Sequence, residues 1–66
     1  MSKDTKHAEQ MANDLNKIYG ELVSVIDYDL QHNTLPYKDF YNLMKATNLI
    51  GTMTRNLKVK IYDSKL

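Results

Sequence analysis

The chain has 66 residues, contains no cysteine and carries a formal net charge of +1. A compact fold of this size buries only about 60% of the surface that its unfolded chain exposes, so it usually needs a disulfide, a structural metal or a partner chain. The absence of cysteine excludes disulfides and removes the commonest zinc ligand. Association with another chain is therefore the expected source of extra stability. The small net charge by itself favours neither a nucleic acid nor an acidic substrate as the partner.

No segment of the sequence has the composition of a membrane span or a secretion signal. The opening residues, MSKDTK, are followed by no apolar run, and the longest apolar stretch, residues 22–26, is far too short to cross a bilayer. The sequence thus predicts a cytoplasmic protein that makes no contact with a membrane. We expect residues 1–5 to be a flexible N-terminus and residues 6–66 to form a single domain.

The first predicted element is a helix over about residues 5–32. Its apolar residues recur at alternating steps of three and four, a spacing that places them on one stripe of a helix. The stripe consists of Ala8, Met11, Leu15, Ile18, Leu22 and Val25. Near Val25 the pattern changes phase, because Ile26 and Leu30 follow Leu22 at steps of four and Asp29 occupies the next stripe position. We therefore expect the apolar stripe to drift around the helix near its end.

A tight turn is predicted over residues 33–35. Asn33 tolerates the left-handed conformation that commonly follows a helix, and Thr34 can cap the next helix. Pro36 suits a first helical turn because it lacks only an N–H group that would stay unbonded there. A connection this short folds the second helix back along the first as an antiparallel hairpin.

A second helix is predicted from about residue 36 to residue 60. The side chains that share its apolar stripe are Phe40, Leu43, Ile50, Leu57 and Ile61, with Thr47 and Thr54 at the intervening positions. Residues 57–61 alternate apolar and basic side chains, which also fits a half-buried strand. Two helices followed by a short C-terminal strand over residues 57–62 are therefore the alternative architecture. We favour the helix, because no other segment has the pattern of a partner strand.

Two glycines interrupt the predicted helices at positions that would lie at similar heights in the hairpin. Gly20 and Gly51 each cost a helix about 1 kcal/mol relative to alanine. They mark either an exposed surface or a close approach of the two helices, and the sequence does not distinguish these alternatives.

The predicted fold class is all-α, an antiparallel helical hairpin that dimerises into a four-helix bundle. Two helices alone leave much of each apolar stripe in water, whereas two hairpins packed face to face bury both stripes. A homodimer is therefore the expected assembly. The side chains predicted for the core and the dimer interface are Leu15, Ile18, Leu22, Val25, Phe40, Leu43, Ile50 and Leu57.

The sequence shows no motif of a catalytic, cofactor or metal site. It lacks a glycine-rich phosphate loop, a GxSxG nucleophile motif and an HExxH zinc motif. Asp29 and His32 lie one helical turn apart, but two ligands do not complete a metal site. Asp27 and Asp29 are two residues apart and so point away from each other on a helix, which does not suit paired acid-base catalysis. We predict no enzyme activity, no cofactor and no bound metal.

Charge is unevenly distributed along the chain. Residues 5–32 sum to −3, whereas residues 45–66 sum to +4. The basic side chains that could contact phosphates of DNA or RNA are Arg55, Lys58, Lys60 and Lys65. The interpretation we favour is that they complement the dipole of the second helix and face the acidic first helix.

Tyr37 and Tyr41 follow the predicted turn and are candidates for contact with a protein, because tyrosine supplies contact area at a low entropy cost. The function expected from these features is that of a small non-enzymatic regulator or adaptor, which acts by protein-protein interaction through helical surfaces. At the level of fold, this arrangement is similar to that of small phage and plasmid regulators. The alternative is a nucleic-acid-binding regulator that uses the basic C-terminal segment.

Overall fold

Two long α-helices joined by a short turn make up the computed structural model, which describes residues 3–65 and, for side chains, residues 6–64. Helix α1 spans Lys3–His32 and helix α2 spans Tyr37–Lys65. The helices lie side by side in opposite directions and form a rod with extents of 46 × 15 × 14 Å. The predicted all-α helical hairpin is confirmed. Over the described residues, neither helix has an apolar segment long enough to cross a bilayer.

Both helices are longer than the sequence predicts. Helix α1 already begins at Lys3, within the segment 1–5 that was expected to be flexible; residues 1 and 2 lie outside the described part of the chain. Helix α2 continues without interruption through residues 57–62, so the alternative with a C-terminal strand is wrong.

The helical spacing at the end of α2 explains why no strand forms there. Leu57 and Ile61 are one turn apart and both lie on the side that faces α1, whereas Val59 lies outside and is 54% exposed. A strand would have placed all three side chains on one face. The apolar period of α2 thus remains helical up to its last turn.

A single line of contact joins the two helices along their length, and we call it the seam. In α1 the seam consists of Ala8, Ala12, Leu15, Tyr19, Leu22, Ile26 and Asp29; in α2 it consists of Phe40, Leu43, Thr47, Ile50, Thr54, Leu57 and Ile61. All of these side chains are buried or half-buried. Their steps alternate between three and four residues, which keeps two supercoiled helices in contact over many turns.

The stripe predicted for α1 and the observed seam differ by one helical position. Met11, Ile18 and Val25 belong to the predicted stripe but are 57%, 43% and 48% exposed. The places that face α2 are taken by Ala12, Tyr19 and Ile26. Ile18 and Val25, predicted for the core and dimer interface, therefore lie outside the seam of a single hairpin. The other residues of that prediction, Leu15, Leu22, Phe40, Leu43, Ile50 and Leu57, are half-buried within it.

Two threonines occupy central seam positions of α2. Thr47 and Thr54 are 3% and 5% exposed. Each hydroxyl donates a hydrogen bond of 2.8 Å to the backbone carbonyl four residues earlier, that of Leu43 or Ile50. Their polar groups are therefore satisfied within their own helix. They contribute less apolar contact than leucine would, and among the described residues the buried apolar side chains are Ala12 and Ile61 alone.

The turn is held by a carboxylate from the last turn of α1. Asp29 is 6% exposed, and its Oδ1 accepts hydrogen bonds from the backbone N–H groups of Thr34 and Leu35 at 2.9 and 2.8 Å. Asn33 has a φ of 50°, the left-handed conformation that the sequence predicts, and its N–H donates to the Asp29 carbonyl at 2.7 Å. Asp29 therefore continues the seam and also fixes the path of the chain into α2.

The start of α2 differs in detail from the prediction. The carbonyl of Pro36 accepts the hydrogen bond of the Phe40 N–H at 3.0 Å, so Pro36 precedes the helix as its cap and Tyr37 is the first helical residue. Thr34, the predicted cap, instead gives its backbone N–H to Asp29.

The two glycines have different surroundings. A Cβ atom added to Gly51 would lie 2.9 Å from Cε2 of Tyr19, whereas nothing lies within 4 Å of one added to Gly20. The ring of Tyr19 thus packs on the backbone of α2 at Gly51. Of the two interpretations, close approach applies to Gly51 and an exposed surface applies to Gly20.

Candidate interaction surface

An exposed apolar row runs along α1 beside the seam. Met11, Ile18 and Val25 recur every seven residues, so they share one side of the helix next to Leu15 and Leu22 of the seam. About half of each of these three side chains is in contact with water. A contiguous exposed row of large aliphatic side chains is typical of a surface that binds another molecule.

Helix α2 carries a shorter row of the same kind. Ala46, Leu49 and Met53 follow one another at steps of three and four residues, and Leu49 and Met53 are 59% and 49% exposed. We call the two rows together the lateral face. It consists of Met11, Ile18 and Val25 of α1 and Ala46, Leu49 and Met53 of α2.

An open cleft on one side of the hairpin shows which flanks of the helices lie together. It is lined by Asn16, Tyr19, Gly51, Thr54, Arg55 and Lys58. Asn16 lies on the flank of the α1 seam opposite Ile18, and Gly51 lies on the flank of the α2 seam opposite Met53. Because the flanks of Asn16 and Gly51 meet at the cleft, the two apolar rows lie together on the other side of the rod. The lateral face is therefore one surface.

The hairpin exposes more area than a compact protein of its mass. Its accessible surface is 5478 Å². A compact monomer of this mass exposes about 4,350 Å² by the usual size scaling, which leaves an excess of about 1,100 Å². One partner in a standard protein-protein interface loses about 800 Å². The excess is therefore large enough to form an interface, and no described side chain is completely buried in the single hairpin.

The structure groups two of the four basic residues that the sequence suggests as nucleic-acid contacts. Arg55 and Lys58 line the same cleft, together with Asn16. Lys60 follows Lys58 by two residues and so points to a different side of α2. Lys65 is the last residue of α2, and its side chain lies outside the described part of the chain.

Tyrosines are exposed around the turn. Tyr37 is 85% exposed, and Tyr41, one helical turn further along α2, is 57% exposed. On α1 the ring of Tyr28 stacks on that of His32 with a centroid distance of 4.2 Å. A second open cleft lies at this end of the rod, lined by Asp29, Leu30, Asn33, Leu35, Tyr37 and Phe40. The turn end therefore offers aromatic and apolar side chains beside exposed backbone.

The strongest titratable cluster of the sequence is divided by the fold. Asp29 directs its carboxylate to the N–H groups of the turn, and His32 stacks on Tyr28. Asp27 is exposed on another side of α1. Within residues 6–64, no group of three acidic, histidine or cysteine side chains is placed to hold a metal ion.

Two features of the surface escaped the sequence reasoning. Leu49 lies off the longer stripe of α2, and its spacing from Ala46 and Met53 defines a second stripe. The role of Asp29 was also missed. An acidic residue at an apolar stripe position, four residues before the left-handed Asn33, could have indicated a carboxylate that binds the turn.

Comparison with known proteins found no similarity: no family model, no curated protein and no solved structure matches this chain at a significant level. The geometry defines the molecule as a two-helix hairpin with an exposed lateral face. Its function has to be inferred from its surfaces.

Proposed function

We propose that this protein is a small non-enzymatic regulator or adaptor that acts through protein-protein contacts of its helical surfaces, and that it does so as a homodimer. The observation that carries the proposal is the lateral face. Five large aliphatic side chains lie about half in water along one side of a rod whose own seam is filled partly by alanine and threonine. Such a surface gains free energy when another apolar surface removes it from water.

The length and continuity of this surface support the homodimer. The lateral face runs beside the seam, so a second hairpin placed against it would also cover the outer edges of the half-buried seam residues Leu15, Leu22 and Ile50. The result is a four-helix bundle in which each helix has two neighbours. The excess exposed area of about 1,100 Å² is sufficient for such an interface.

Thermal unfolding at several protein concentrations tests the self-association. A hairpin that is stabilised by a second copy melts at a higher temperature as its concentration increases, because association stabilises the folded state by mass action. We expect the midpoint, followed by circular dichroism, to rise with each tenfold increase in concentration. A midpoint that does not depend on concentration would argue for a hairpin that folds alone.

We propose that the protein that is regulated or recruited binds at the turn end of the hairpin. Tyr37 and Tyr41 stay exposed on the hairpin and lie outside the lateral face. Tyrosine is enriched in protein interfaces because its ring supplies contact area with little loss of side-chain entropy. In an affinity capture from native cell extract, a partner should be retained by the wild type and lost on Tyr37→Ala with Tyr41→Ala. Tyr62→Ala, which removes another exposed tyrosine near the far end of α2, is the matched control.

Nucleic-acid binding is the second candidate function, supported by the cleft that holds Arg55 and Lys58 with Asn16 and Tyr19. Cations next to an amide and an aromatic ring suit a phosphate backbone and its bases. Binding of single- and double-stranded DNA and RNA should then weaken as salt increases, and Arg55→Ala with Lys58→Ala should reduce both the affinity and its salt dependence. A wild-type protein without salt-sensitive binding near physiological ionic strength excludes this candidate.

A further inference from the structure

We propose that the occupant of the lateral face is a second copy of this chain that runs in the opposite direction, so that α1 packs on α1 of the second copy and α2 packs on its α2. This inference rests on the proposed self-association and adds the direction and the residue contacts of the pair. It follows from the order of side chains along the two rows and from the distribution of charge along the rod.

Two identical rods can face each other about a two-fold axis in two ways. An axis along the rods keeps the copies parallel and brings α1 opposite α2 of the second copy. An axis across the rods reverses one copy and brings each helix opposite its own counterpart. The two arrangements pair different residues, so the composition of the lateral face distinguishes them.

The α1 row is symmetric about its centre. Met11 and Val25 lie seven residues on either side of Ile18, a distance of about 10 Å along the helix. When one copy is reversed about Ile18, Ile18 meets Ile18 and Met11 meets Val25 of the second copy. Each contact of this row is then apolar on both sides.

The α2 row has charged residues of opposite sign at its two ends. Asp39, Ala46, Met53 and Lys60 recur every seven residues on one side of α2, and the side chains of Asp39 and Lys60 are exposed. In the reversed arrangement Ala46 meets Met53, and Asp39 meets Lys60 of the second copy. Because the pair is symmetric, the acid-base contact occurs twice, once at each end of the α2 row.

The parallel arrangement pairs these residues less favourably. Because the Tyr19 ring leans toward the N-terminal end of α1, its contact with Gly51 puts the midpoint of the α2 row level with about residue 18 of α1 and Lys60 level with about residue 8. In the parallel pair Lys60 would lie near Ala8 and Met11 of the second copy, at one end of the α1 row. In this arrangement Asp39 and Lys60 of the two copies lie at opposite ends of the pair, so the two acid-base contacts of the reversed arrangement are absent.

The charge of the whole rod favours the same direction. The half that contains the turn, residues 18–52, has two basic and four acidic side chains and a net charge of −2. The other half of the chain has seven basic and four acidic side chains and a net charge of +3. Reversed copies place the negative half beside the positive half, whereas parallel copies place like charges together. Charges on neighbouring rods lie within the screening length of about 8–10 Å at moderate salt, so the difference acts on the pair.

Engineered disulfides test the direction, since the chain has no cysteine of its own. A disulfide requires two Cα atoms within about 7 Å of each other. In the reversed pair Ile18 lies against Ile18, so Ile18→Cys alone should oxidise to a covalent dimer. In the parallel pair Ile18 lies against Met53 of the second copy, so a mixture of Ile18→Cys with differently tagged Met53→Cys should form the mixed disulfide. Ser24→Cys, exposed on the outer side of α1, reports random collision.

We expect covalent dimers of Ile18→Cys to form much faster than those of Ser24→Cys, with the mixed disulfide no faster than the control. A dominant mixed disulfide with Met53→Cys would overturn the direction and leave self-association intact. Oxidation of both Ile18→Cys and its mixture with Met53→Cys at the rate of Ser24→Cys would overturn the lateral face as the interface. Sedimentation of the same reduced variants shows separately whether any pair forms, and a monomer mass there would count against the proposed function itself.

A charge exchange provides the second readout. Asp39→Lys alone should raise the dissociation constant of the dimer by about fivefold, because it places two lysines together at each end of the α2 row. Adding Lys60→Asp should recover the wild-type constant, because the acid-base contact is then restored with its partners exchanged. If the double variant dissociates as readily as Asp39→Lys alone, the contact between Asp39 and Lys60 is wrong, and so is the reversed direction.

Discussion

The seam and the lateral face are built from different kinds of side chain, although they lie one helical position apart on α1. The seam places Ala12, Thr47 and Thr54 at its most buried positions, whereas the larger Ile18 and Val25 lie outside it. A helix with a single neighbour would be expected to direct its largest apolar side chains toward that neighbour. The difference indicates that α1 has two packing sides, one used within the hairpin and one available to another chain.

The largest effect is expected from a charge placed in the seam. Ile50→Asp puts a carboxylate at a half-buried position at the centre of the α2 seam, where it loses much of its hydration, and the cost is expected to be several kcal/mol. Circular dichroism should show the loss of most of the helical signal. Val59→Asp, the same change in charge on an exposed outer position, should keep it. A fully helical Ile50→Asp would show that the seam is misplaced.

A charge on the lateral face should act on association more than on the hairpin. Ile18→Lys leaves the seam intact but places an ammonium group at the centre of the proposed interface. We expect the variant to sediment as a monomer and to melt at a lower temperature that no longer depends on concentration. Ser24→Lys, on the outer side of α1, serves as the control and should behave like the wild type. A dimeric Ile18→Lys would place the interface on another surface.

Removing the carboxylate that binds the turn should destabilise the hairpin by about 1–3 kcal/mol, because two backbone N–H groups lose their acceptor. Asp29→Ala should lower the urea midpoint accordingly. Asp29→Asn retains an oxygen acceptor and should cost less, and Asp27→Ala, two residues away and exposed, should have little effect. Equal midpoints for Asp29→Ala and Asp27→Ala would contradict the role of Asp29 in the turn.

Replacing each of the two glycines with alanine should have the smallest effect on stability. The change in stability should have opposite signs at Gly20 and Gly51. Gly20→Ala should stabilise the protein by about 1 kcal/mol, since alanine favours a helix and the added methyl group meets open space. Gly51→Ala brings the same gain in helix propensity. However, its Cβ would lie 2.9 Å from Cε2 of Tyr19, so the ring has to move away. We expect its melting temperature to be lower than that of Gly20→Ala, and equal melting temperatures would show that Tyr19 moves without cost.

The sequence was sufficient to predict the hairpin and the whole seam of α2, because the apolar residues and threonines there form a stripe along the whole helix, whereas the second stripe through Ala46, Leu49 and Met53 is short. It was not sufficient for α1. Leu15 and Leu22 belong to two stripes at once, one that continues through Met11, Ile18 and Val25 and one that continues through Ala12, Tyr19 and Ile26. Hydrophobicity favours the first stripe, whereas packing against Gly51 selects the second. Periodicity alone does not show which neighbour each stripe contacts.

The same limit applies to the surface residues. Tyr37 and Tyr41 are candidate contact residues because of their position after the turn, and the fold leaves both exposed. The separation of Lys60 from Arg55 and Lys58 depends on the helix that continues to the end of α2, which the alternating pattern of that segment did not settle. Grouping of charges on a surface is therefore predictable only once the secondary structure beneath them is fixed.

Sedimentation equilibrium of the wild-type protein, over a wide range of concentrations at moderate salt, tests most directly whether the lateral face pairs two copies of the chain. We predict a mass of twice the 7.7 kDa chain, with dissociation to the monomer on dilution. A mass of 7.7 kDa at every concentration, from a protein with its full helical signal, would contradict this prediction. It would show that the hairpin is stable with its lateral face in water.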